Sequence, residues 1–69
     1  MFNMFDVVKT KKDYPEYGLK ATYVGAIVDI VNNGEAYTVE FIDEAGNTIE
    51  DALYTEFKAD ELELIENIN

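Results

Sequence analysis

Side-chain catalysis needs groups that exchange protons or attack an electrophile near neutral pH, and this chain holds few of them. It contains no His, Cys or Ser, which removes the commonest general base and the commonest nucleophiles. Carboxylates, Tyr, Lys and Thr remain. Glu40, Glu50 and Asp51 fall on neighbouring predicted strands, and paired carboxylates are the raw material of glycoside hydrolysis. A domain of this size offers no deep cleft in which one of them could be held protonated. A solvated acidic face explains the same residues, and no enzyme is expected. Asp43, Glu44 and Asn47 put three oxygen ligands on one loop, a fragment of a calcium site, but the EF-hand spacing and its terminal bidentate Glu are missing. Turn formation accounts for these three residues equally well. Without Cys or His the usual zinc ligand sets are absent too, so neither a metal nor a cofactor is expected.

The aromatic residues offer recognition rather than reaction. Tyr14, Pro15 and Tyr17 lie in one polar stretch, with Tyr23 and Tyr54 expected nearby. Exposed aromatics with Pro line peptide-binding grooves, and tyrosines anchor many protein interfaces. The same rings could instead cover the end of a small core and stack on one another. Grooves for proline motifs also use Trp, and the chain has none.

Charge is the strongest compositional signal, with five Lys against fifteen acids and a net charge of −10. It is unevenly spread. Residues 1–20 hold four Lys and three acids, a balance of +1, whereas residues 21–69 hold Lys58 and twelve acids, a balance of −11. Such a surface repels phosphate backbones, so direct nucleic-acid binding is not expected. Solubility is one reading of the charge, and an acidic face that docks on a basic partner is the other. Sixty-nine residues form a single domain near the lower limit for an unaided hydrophobic core. Asp6 ends the opening apolar run, which no basic residues precede, so no signal peptide is expected. No apolar run is long enough to span a bilayer. A cytoplasmic protein without membrane contact is the expectation.

These residues must be positioned by short strands. Phe5–Thr10 reads as the first, rich in β-branched side chains. The loop 11–18 follows, with Pro15 fixing its own φ and holding Tyr14 extended. Thr22–Val31 is the second strand. If Val24, Ala26, Val28 and Ile30 face inward, Asp29 faces water and Ile27 and Val31 are left out; a bulge or bend at Gly25 would bury Ile27 as well. Asn32, Asn33 and Gly34 supply the positive φ angles of a tight hairpin. Tyr37, Val39 and Phe41 then alternate with Thr38, Glu40 and Ile42, the cleanest strand pattern in the chain. Asp43–Asn47 is a second turn with Gly46 left-handed. Thr48–Phe57 reads as a fourth strand with Ile49, Leu53 and Phe57 inward and a bend at Asp51. A single 3₁₀ turn over Lys58–Glu61 precedes a last strand, Leu62–Ile65, and Glu66–Asn69 is expected to fray. A helix over Thr55–Asn67 is the rival reading, since Phe57, Glu61 and Leu64 lie at helical spacings.

Five short strands in meander order, a long loop after the first and a helical turn before the last describe an all-β, five-stranded SH3-like barrel spanning residues 1–69 as one domain, with its core in about 4–65. The run Gly18-Leu19-Lys20, Val24-Gly25-Ala26-Ile27-Val28-Asp29-Ile30, Gly34-Glu35-Ala36-Tyr37-Thr38-Val39-Glu40-Phe41 and Gly46-Asn47-Thr48 resembles a family of short bacterial and archaeal proteins catalogued as a domain of unknown function. The resemblance implies an SH3-like barrel and no established activity. Members usually carry Gly-Asp where this chain has Thr22-Tyr23, which loosens the bend before Val24. Gly25-Ala26-Ile27 with Ile30 also resembles, more faintly, the KOW type of nucleic-acid-associated barrel, whose RNA-binding role the net charge opposes.

The function expected from all this is a non-catalytic acidic module that binds a protein partner with a basic surface, most concretely an antitoxin or immunity-type protein. Its expected contact residues are Tyr14, Pro15, Tyr17, Tyr23, Glu40, Asp43, Glu44, Glu50, Asp51 and Tyr54. The alternatives are a phage or mobile-element inhibitor that mimics DNA charge, and a structural barrel that forms homo-oligomers through the edge of the last strand.

Overall fold

The computed structural model describes residues 1–67. Its strands are β1 (Val7–Thr10), β2 (Val24–Val31), β3 (Ala36–Ile42), β4 (Glu56–Phe57) and β5 (Leu62–Glu66), with one helical turn, α1 (Glu50–Leu53). They form one antiparallel sheet in the order β4-β3-β2-β1-β5, the SH3-like barrel arrangement, in which the last strand returns beside the first. The 3₁₀ turn before β5 spans Ala59–Glu61. Among the described residues no helix is long and apolar enough to cross a membrane.

Strand β3 behaves as its alternation requires. Tyr37, Val39 and Phe41 are buried, and they pack with Val8, Leu19, Ile27, Ala52, Phe57 and Leu62 as the core. The hairpin before it turns through Asn32, Asn33 and Gly34, all at positive φ, and these are the residue types for which left-handed backbone costs least.

Strand β2 departs from the expected inward set. The register slips between Ile27 and Asp29, so the bulge sits at Val28 and not at Gly25. Gly25 and Ile27 therefore point in ahead of the bulge, Val24 faces out, and Val28 is only half-buried. Ile27 is buried and Asp29 exposed, as expected. Gly25 keeps regular pairing with Val8 and Phe41. It is glycine for want of space: a Cβ there would lie 2.7 Å from the Glu40 carbonyl oxygen and 2.8 Å from Phe41 and Val39 side-chain carbons.

Three further boundaries differ. The first strand starts at Val7, because Asp6 closes a turn on Asn3: its amide donates to the Asn3 carbonyl (3.1 Å) and its Oδ2 accepts the Asn3 amide (2.8 Å). Phe5 is thereby held at φ 69° and left exposed. The fourth strand shrinks to Glu56–Phe57, since residues 50–53 wind into α1 and place Ala52, rather than a larger side chain, wholly inside the core. Glu66 pairs with Val7 instead of fraying, while residues 68–69 lie outside the described residues. The rival helix over Thr55–Asn67 does not form; that segment is β4, the 3₁₀ turn and β5.

Candidate functional site

Two clusters of aromatic and charged side chains lie at the surface, and they differ in how far their rings are packed on the core. The first is the loop between β1 and β2. Pro15 begins a 3₁₀ turn over Pro15–Tyr17, the position at which its missing N–H is not needed. Gly18 ends the turn at φ 68°. Tyr14 and Leu19 then pair across the loop through reciprocal backbone hydrogen bonds of 2.8 and 3.1 Å. This geometry lowers the tyrosines onto Phe57. Tyr14 stacks on Tyr17 at 5.9 Å between ring centroids, and both meet Phe57 edge-on, at 5.5 and 6.4 Å.

Tyr14 is consequently 8% exposed, and its hydroxyl donates to Glu61 Oε2 at 3.1 Å. Burial, then this hydrogen bond, push its pKa up to about 12. Glu61 also accepts the Lys58 backbone amide at 2.8 Å, so one carboxylate ties the loop to the 3₁₀ turn before β5. Lys12 Nζ lies 5.1 Å from the Tyr14 ring centroid. Tyr14 is thus buried on all but one side, where it lines a surface pocket of about 290 Å³ with Lys11, Lys12, Asp60 and Glu61; Tyr17 is half-buried and Pro15 exposed. The rings of Tyr14 and Tyr17 pack over Phe57 at the edge of the core.

The second cluster sits at the start of β2 and the end of β3. Val24 and Ile42 are directly paired across β2 and β3, so their side chains share the outer face of the sheet, where they are 36% and 38% exposed. With Thr22, Tyr23, Asp43 and Glu44 they line an open notch of about 220 Å³. Tyr23 is half-buried. Its pKa is raised by partial burial first and then by the Glu44 carboxylate, with Lys20 opposing. Lys20 Nζ stands 6.0 Å from the Tyr23 ring centroid. Asp43 builds the adjoining turn: its Oδ1 accepts the amides of Ala45 and Asn47, each at 2.9 Å, and Gly46 adopts φ 85°. Those bonds, that of Asn47 first, hold the Asp43 carboxyl below the usual carboxylate range.

The structure brings Tyr23, Asp43 and Glu44 together, sets Glu40 two residues before Ile42 on the same outer face, and places Glu50, Asp51 and Tyr54 in and just after α1. Glu40 is exposed on β3 and accepts a hydrogen bond from the Thr48 hydroxyl at 3.0 Å. Glu50 and Asp51 open α1, so the strand pairing expected to set them against Glu40 is not formed. Tyr54 is 85% exposed just after α1. Asp43 and Asn47 are engaged in turn hydrogen bonds, and among the described residues no group of three or more carboxylates is placed to hold a metal ion. Val24, Ile42 and Glu61 were missed in the sequence. Ile42 already alternates outward on β3, whereas Val24 was expected inward, and the bulge at Val28 is what leaves Val24 facing out.

A family model described as Domain of unknown function (DUF4926) matches residues 4–64. The chain belongs to this family. Neither a curated protein nor a solved structure gives a significant match.

Proposed function

We propose that this protein is a non-catalytic acidic module that binds and masks a basic site on a protein partner, in its most concrete form an antitoxin or immunity-type protein. The observation that carries the reading is the outer face of β2, β3 and β4. Asp29 pairs with Thr38, Thr38 with Glu56, and Ala26 with Glu40. Directly paired residues share a face, so Asp29, Glu40 and Glu56 project together, and all three are exposed. Asp43 and Glu44 extend the same sign of charge at one end. Four of the five Lys lie within residues 1–20, and Lys9 is set against Glu63 across β1 and β5. A face of one sign steers encounter with a complementary partner, and its exposed apolar spots hold the complex once formed.

The test is co-purification of the full chain from its native host with the product of the neighbouring gene as first suspect. A complex formed at low salt and weakened by added salt is expected. Recovery of no specific partner at low salt refutes the reading.

A second reading, self-association, is favoured by Leu64 and Ile65, both exposed on the edge strand β5. Sedimentation of the isolated chain decides it, since a clean monomer at high concentration removes it.

A further inference from the structure

We propose that the notch between the start of β2 and the end of β3 is a receptor for one arginine side chain presented by a protein partner. This rests on the reading of the protein as a module for basic partners, and it names the place and the group recognised. A cavity and an exposed apolar pair define the site. At about 220 Å³ the notch falls below the roughly 300–1,000 Å³ of small-molecule pockets, which suits a single side chain. Its apolar walls are Val24, Ile42 and the Tyr23 ring, and its rim carries Asp43 and Glu44.

An arginine matches each part. Its aliphatic stem covers Val24 and Ile42, which the fold otherwise leaves to water. Its planar guanidinium stacks on the Tyr23 ring, a contact for which the compact lysine ammonium is less suited. Its paired N–H donors meet the Glu44 carboxylate. Asp43 contributes charge while its Oδ1 remains committed to the turn amides. The chain's own Lys20 already stands 6.0 Å from the Tyr23 ring centroid, so a cation is accommodated at this ring.

The probe is a blocked hexa-arginine peptide titrated into the full chain at low salt, with amide NMR shifts as the readout and a hexa-lysine peptide alongside. Saturable shifts centred on Tyr23, Val24, Ile42 and Glu44 are expected, with the lysine peptide weaker. Tyr23→Ala and Glu44→Gln each weaken binding about two- to fivefold, the worth of one cation–π contact or one exposed ion pair. Glu63→Gln removes the same charge from β5 and serves as control, with a smaller loss. Equal losses for Glu44→Gln and Glu63→Gln, or shifts spread evenly over the acidic surface, overturn the site while leaving a diffuse acidic binder standing. Equal binding of the two peptides overturns the choice of arginine. Absence of any binding at low salt overturns both the site and the reading beneath it.

Discussion

Tyr14 and Tyr23 have the same company and opposite fates. Each has a carboxylate near its hydroxyl, Glu61 for one and Glu44 for the other, and each has a lysine amino group near its ring, Lys12 or Lys20. Tyr14 also has Phe57 beneath it and Tyr17 beside it, and these close the cluster into a lid on the core. Tyr23 stands instead beside Val24 and Ile42, which remain open to solvent. Side-chain type therefore does not separate an aromatic packed on the core from one left at the surface. The packing beneath the ring does.

The sharpest way to break this comparison is to remove what lies under the lid. Phe57→Ala takes away the ring on which Tyr14, Tyr17 and Phe41 all converge. It is expected to cost about 3–5 kcal/mol, as for other buried Phe truncations, read as a fall in the urea midpoint. A loss no larger than that of a surface substitution refutes the lid. Tyr14→Phe keeps the ring and deletes the hydrogen bond to Glu61, and is expected to cost about 1 kcal/mol. Tyr23→Phe should leave the midpoint unchanged, and a loss matching that of Tyr14→Phe removes the distinction.

The two clusters also separate by pH. The Tyr14 phenol has an ordinary pKa of 10.0, raised to about 12 in the fold. Its contribution is therefore complete below pH 10, declines between 10 and 12 as the unfolded phenol ionises first, and is gone above 12. Urea melts across this window should show the decline in the native chain and its reduction in Tyr14→Phe. The smallest expected effect lies at the notch. The Asp43 carboxyl is held below its ordinary 3.8, so its contribution is present above that value and lost as pH falls through the lowered one. Asp43→Ala should flatten this acid limb, and an unchanged limb refutes the assignment.

Much of this architecture is legible in the residues themselves. The alternation of Tyr37, Val39 and Phe41 reports one buried face directly, and Asn32, Asn33 and Gly34 report a turn because few other residues tolerate that backbone. The rest depends on contacts distant in the chain. Gly25 signals that something is close but not what, and only pairing with β3 reveals that Phe41 and Val39 occupy the space while the bulge falls at Val28. The expected fourth strand already loses its alternation at Glu50-Asp51, and the structure resolves that break by winding residues 50–53 into a turn that buries Ala52. Burial of Tyr14 follows from packing on Phe57, far along the chain, which no local pattern encodes. The notch was partly legible: Tyr23, Asp43 and Glu44 were among the expected contact residues and Ile42 alternates outward on β3, but the outward turn of Val24 was not expected.

The sheet order also sets a folding sequence. In the β2–β3 hairpin, Val31 meets Ala36 through a turn already biased by its own residues. Joining Thr10 to Leu62 and Val7 to Glu66 instead requires almost the whole chain to close on itself. Loop-closure entropy makes the hairpin the early event and the docking of β5 the late one. The same ordering predicts that amides bonded between β1 and β5 exchange with solvent faster than those between β2 and β3. Departure of the strand that completes the barrel exposes Val8 and Leu62 while the acidic hairpin face stays intact.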